Sequence, residues 1–108
     1  MSRCIPKILV QGEYFNISTC SSCKRIGICY KNLISGFNRL DFVGFAQGII
    51  QTPFEKFAVP FPPHGEERIV IKTCHKDIQF CFCPTEFSEL KDLLQEALLL
   101  IEIESVLK

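Results

Sequence analysis

Residues 13–31 read EYFNISTCSSCKRIGICYK. In the first part of this stretch Phe15 and Ile17 fall on one side and Tyr14, Asn16 and Ser18 on the other, the alternation that a half-buried strand requires. In the last part Ile26, Ile28 and Tyr30 share one face, with Arg25, Gly27, Cys29 and Lys31 on the opposite one. Between them Cys20-Ser21-Ser22-Cys23 forms a short polar turn. The stretch is therefore predicted to fold as an antiparallel hairpin of residues 13–19 and 25–31, with two thiols at its tip.

Working outward, residues 33–37 make a further short strand. Asn38 is a good N-cap for a helix carrying Phe42, Phe45, Ala46, Ile49 and Ile50 at helical spacing. Gly44 and Gly48 weaken that helix, a cost of about 1 kcal/mol each relative to alanine, and would be explained by close approach to the sheet. Residues 52–67, with Pro53, Pro60, Pro62 and Pro63 between Phe54, Phe57 and Phe61, read as a packed connecting loop. Residues 68–73 alternate with Ile69 and Ile71 inward, 74–77 turn, and Ile78, Phe80 and Phe82 line one face of the next strand. A long helix follows from Pro84 with Thr85 as its N-cap and continues to Leu107. A shift of 45 residues sets Leu33 against Ile78, Phe42 against Phe87 and Ile49 against Leu94. Each half then reads strand, strand, helix, the pattern of a ββα duplication and equally of two unrelated amphipathic units. Both accounts give an α+β fold, a two-layer, mainly antiparallel sheet with two helices on one face.

The chain has 108 residues, 47% of them apolar and ten of them phenylalanine, so residues 1–108 are read as a single domain with a real core. Twelve basic residues balance twelve acidic ones, which removes the overall attraction that nucleic acid or an anionic membrane surface would exploit. The balance is uneven along the chain. Arg3, Lys7, Lys24, Arg25, Lys31 and Arg39 face only Glu13 in the first forty residues, whereas Glu86, Glu89, Asp92, Glu96, Glu102 and Glu104 outnumber Lys91 and Lys108 in the last twenty-four. The plain reading is that the two ends attract each other in the monomer; the sharper one is a basic ligand patch.

The apolar stretch after Arg3 is broken by Pro6 and Lys7 and offers no leader, and no run approaches the roughly 20 residues of a membrane span. A cytoplasmic protein is expected. In a reducing compartment the seven cysteines should be thiols or metal ligands.

Cys20-x-x-Cys23, followed by Lys24, Arg25, Ile26 and Gly27, has the look of half a zinc knuckle. A tetrahedral structural site needs four ligands, and the pair expected to complete it is Cys74 with His75, from the turn of the second hairpin, with His64 and Cys4 in reserve. Zinc is the cofactor this arrangement would take. The same motif in a thiol-exchange enzyme sits at a helix N-terminus after a strand, whereas here strands flank it. Cys81 and Cys83 lie in line on one strand, about 6.5 Å apart, and read as packing positions, as does Cys29. No serine–histidine arrangement, paired carboxylates, phosphate loop or H-E-x-x-H occurs, so no enzyme is expected.

On the last helix Phe87, Leu90, Leu93, Leu94, Ala97, Leu98, Leu100 and Ile101 form one broad stripe. Leu99, Ile103, Val106 and Leu107 project from the other side. They would be covered by a second copy in a homodimer or from within by the loop phenylalanines.

The strand ending in Cys20-x-x-Cys23, the Ile28-x-Tyr30-x-Asn32-Leu33 run, Phe42-x-x-Phe45, and Glu86-Phe87-x-Glu89-Leu90-x-x-Leu93-Leu94-x-x-Ala97-Leu98 resemble a group of short uncharacterised bacterial proteins. That resemblance implies a domain of unknown function and transfers no catalytic residue. Taken together, the sequence points to a small homodimeric binding or interaction protein, with a thiol- or zinc-handling protein as the rival.

Overall fold

Where apolar and polar residues alternate, the chain pairs into strands. In the computed structural model, which describes residues 4–73 and 75–107 with side chains through Glu104, Lys7–Gln11 (β1), Phe15–Thr19 (β2), Ile26–Tyr30 (β3) and Leu33–Phe37 (β4) form one antiparallel sheet in that order. Val59–Phe61 (β5), Glu66–Lys72 (β6) and Gln79–Phe82 (β7) form a second. Arg39–Ile50 (α1), Phe54–Phe57 (α2) and Pro84–Leu107 (α3) complete an α+β architecture. The strands thus divide into two sheets where one was expected. The long helix α3 packs against strands of both, β1, β2, β6 and β7, and also against α1. No helix among the described residues is long and apolar enough to cross a membrane.

Two strands lie where alternation did not reveal them. β1 contains the continuous run Ile8-Leu9-Val10, and a bulge accounts for it. Ile8 pairs with Ser18 and Val10 with Ile17, so Leu9 is the extra residue that turns Val10 inward. β5 lies within the proline-rich connection, at the edge of its sheet, where Pro60 removes no hydrogen bond from a central strand.

Asn38 caps α1 as expected, its side-chain oxygen accepting the Asp41 N–H at 2.8 Å. At α3 the cap shifts from the expected Thr85 to Cys83. Pro84 takes the first helical position, and Glu86 reaches back to accept the Cys83 N–H at 3.0 Å, the return bond of a capping box. A shift of 45 residues carries Arg39 onto Pro84, the first residues of α1 and α3. Gly44 and Gly48 do not serve close packing, because a Cβ at either would meet nothing within 4 Å.

The core joins Phe15, Ile17, Ile26 and Ile28 of the first sheet and Ile69, Phe80 and Phe82 of the second to the main stripe of α3, where Phe87, Leu90, Leu94 and Ala97 are fully buried. Phe82 meets Phe15 and Tyr30 edge-on, at 5.2 and 5.1 Å between ring centres. Tyr30 donates its hydroxyl to Glu86 at 2.7 Å. Burial pushes Glu86 up, but the Cys83 N–H and the Tyr30 hydroxyl outweigh it and hold the carboxyl below its ordinary value of 4.5.

One turn along α3, Glu89 accepts three successive backbone N–H groups, from Glu13 at 2.8 Å, Tyr14 at 2.7 Å and Phe15 at 3.1 Å. The carboxylate lies so close to the β1–β2 loop that a Cβ on Gly12 would sit 2.6 Å from its oxygen. Glu89→Gln replaces one acceptor oxygen by a donor that opposes a backbone N–H, and is expected to destabilise the fold by about 2 kcal/mol in urea unfolding. Gly12→Ala should cost about 1–3 kcal/mol by overpacking the same contact.

Candidate metal centre

β1 runs antiparallel to β2 with Lys7 opposite Thr19. Continued beyond the paired residues, that register brings Cys4 beside the 20–23 turn, while Pro6, having no N–H, ends the ladder before it. The sulfur atoms of Cys4, Cys20 and Cys23 lie within 4.8 Å of one another, with Cys20 buried and the other two exposed.

The turn is closed by its own backbone. Lys24 N–H donates to the Cys20 carbonyl at 2.9 Å, and Cys20 N–H donates to the Arg25 carbonyl at 3.1 Å. Lys24 has φ of 61°, the left-handed conformation that glycine ordinarily occupies. So wound, the turn directs amide groups at Cys20. The Cys23 N–H, then the Cys23 thiol, outweigh burial and lower the Cys20 thiol from 9.0 to about 7. Cys4 is raised to about 11, because as a thiol it hydrogen-bonds to the sulfurs of Cys23 and Cys20. The cluster therefore holds one thiolate near neutrality, stabilised by amides and by two thiol donors. Three sulfurs at this separation could hold a metal ion. Tetrahedral zinc, with Zn–S of about 2.3 Å, places its sulfurs about 3.8 Å apart, a contraction well within side-chain reach.

Of the four expected ligands, the structure brings together Cys20 and Cys23, with Cys4 from the reserve. His75 lies exposed in the β6–β7 turn, its N–H donating to the Thr73 hydroxyl at 3.1 Å, and it is not in the thiol group. Cys74 is outside the described residues. His64 is exposed in the β5–β6 turn. The reason is how the second hairpin docks. Phe80 and Phe82 pack on Tyr30 and Phe15, five residues and about 16 Å of strand from Cys20. Cys29, Cys81 and Cys83 are partly buried and also outside the group. Cys4 was legible in principle, because a strand ending at Thr19 and paired antiparallel with residues 7–11 puts residue 4 at the tip.

A cleft of about 490 Å³ adjoins Cys20, with Lys7, Lys24, Arg25 and Arg39 among its lining residues.

The chain belongs to DUF6686, a family of unknown function whose profile matches residues 3–104. No curated protein and no solved structure matches it. The match agrees with an uncharacterised domain and brings no activity with it, so the chemistry rests on the residues themselves.

The metal-free protein is expected to form one thiolate with a midpoint near pH 7, followed by others only at much higher pH, in an ultraviolet thiolate titration. Cys20→Ser should abolish the neutral step. A first step at the ordinary thiol value in the unaltered protein would contradict the amide-stabilised geometry.

Proposed function

We propose that this protein is a small, non-catalytic zinc-binding domain, with the ion held by the thiolates of Cys4, Cys20 and Cys23. The observation that carries this reading is the convergence of three sulfurs from two separate segments within 4.8 Å. Thiolates are soft donors that favour zinc and similar ions over hard cations. A turn that directs amides at a thiolate also stabilises the metal-bound form. The fourth position is left to water or to a donor from elsewhere. The carboxylates drawn against the body of the fold, Glu86 and Glu89, are committed to backbone amides and to Tyr30, which supports a binding domain over a catalyst. The need for reduced thiols suits the cytoplasm.

Elemental analysis of protein purified without chelator is expected to find one zinc per chain, reduced several-fold by Cys4→Ser, Cys20→Ser or Cys23→Ser and unchanged by Cys29→Ser. Metal binding contributes to folding, so the same three variants should lower the melting temperature. A hundred-fold excess of free zinc over Kd corresponds to about 2.7 kcal/mol, or roughly 10 °C in a domain of this size. A wild type without zinc that takes none up on addition rejects the reading.

A second reading concerns self-association. Leu99 and Ile103 on α3 are 58% and 46% exposed. The loop aromatics do not cover them, since Phe54 packs on Phe87 and Phe57 is itself exposed. Val106 and Leu107 have side chains outside the described residues. A homodimer through this side of α3 would bury the exposed pair against its symmetry mate. Sedimentation at micromolar concentration is expected to give a dimer, and Leu99→Glu with Ile103→Glu a folded monomer. A monomeric wild type rules the dimer out.

A further inference from the structure

The cleft beside the thiols is framed by the start of β1, the β2–β3 turn, the first residue of α1 and the last turns of α3. Four of the six basic residues in the first forty line it, Lys7, Lys24, Arg25 and Arg39. From the acidic last segment of the chain only Glu104 reaches it. Among the described residues the ion pair formed is Arg68 with Glu66, and none of the four cations makes one. Positive charge is thus concentrated along one concave surface.

Two details concern how these cations are placed. The Arg39 guanidinium donates to the Ile101 carbonyl of α3 at 3.4 Å, which steadies it at the cleft. Lys24 occupies a left-handed conformation that a glycine would adopt without strain, which sets the path of the turn at the cleft edge. The four side chains are exposed along the cleft, and like charges gathered there repel one another unless an anion sits among them. Between the cations the wall is apolar, formed in part by Ile26 and Ile101.

We infer that this cleft binds a small organic oxyanion, a phosphate monoester or carboxylate carried on a short apolar body, with the head group among Lys7, Lys24, Arg25 and Arg39 and the body against Ile26 and Ile101. The arginines supply planar, forked donors suited to either head group, and the lysines supply point charge. The site needs no metal on the thiols.

Calorimetric titration of the full-length protein at low ionic strength with inorganic phosphate, hexyl phosphate and hexanoate tests this. Saturable one-to-one binding is expected for at least one of the hexyl probes, and the tighter of the two identifies the head group. Hexyl phosphate should bind about ten-fold or more tighter than inorganic phosphate, because its chain leaves water. Lys24→Gly, which relaxes the turn, and Arg39→Gln, which lies outside it, should each weaken binding about ten-fold with the melting temperature maintained, whereas Lys91→Gln should not. Absence of saturation with both hexyl probes, equal affinity for phosphate and hexyl phosphate, or equal weakening by Lys91→Gln overturns the proposal. Zinc content measured on the Arg39→Gln samples is expected to be unchanged, so failure of the anion site and failure of the metal site are read separately.

Discussion

A single carboxylate on the long helix, Glu89, sets the frame for the rest of the molecule. By accepting the N–H groups of Glu13, Tyr14 and Phe15 it fixes the loop between β1 and β2 to the first turns of α3. Such charge-assisted bonds are roughly twice as strong as neutral ones, and the backbone they satisfy would otherwise need water at a packed junction. The rest follows by length. From Glu89 to Ile101 the helix advances about 18 Å, and from Phe15 to Cys20 the strand advances about 16 Å. A helix pinned at one end of β2 therefore delivers Ile101 to the other end, where the thiols and the basic cleft lie. The site's position is a consequence of docking at the far end of the sheet.

The same arrangement decides the electrostatics. Sequence charge alone suggests that acids of the last segment neutralise bases of the first. Glu86 and Glu89 instead bond to neutral donors, the Tyr30 hydroxyl and backbone amides. With these two acids committed at one end of the sheet, the bases at the other end are left with Glu104 alone in the cleft lining. Structural need at one end of α3 thereby creates binding potential at the other.

The parts of the fold legible in the sequence are those where one residue's face follows from its neighbour's. Phe15 and Ile17, Ile26 and Ile28, and Phe87, Leu90, Leu93, Leu94, Ala97 and Ile101 of the α3 stripe are buried as their spacing requires, with Leu98 and Leu100 partly buried at its margin. β1 escaped because its bulge at Leu9 breaks the alternation that would have announced it, and with β1 went Cys4, whose place depends on the β1–β2 register. Whether the second hairpin's turn lies beside the first depends on which ends of the two sheets meet. Local pattern carries no information on that. It was decided by aromatic packing of Phe80 and Phe82 against Tyr30 and Phe15.

The chemistry of the cluster follows from where its members sit along the chain. Cys20 and Cys23 belong to one turn that is already closed by backbone bonds, so an ion on that pair alone would restrain little. Cys4 comes from the segment ahead of β1, an edge strand in which only Val10 is buried and whose pairing stops short of Pro6. Joining Cys4 to the turn closes a loop from residue 4 to residue 20 and fixes the start of that edge strand beyond its last paired residue, at a cost in chain entropy that the ion would offset. Edge strands are also where unwanted pairing with other chains begins. An ion shared by these three sulfurs would therefore act most strongly on the element that the hydrophobic core holds least.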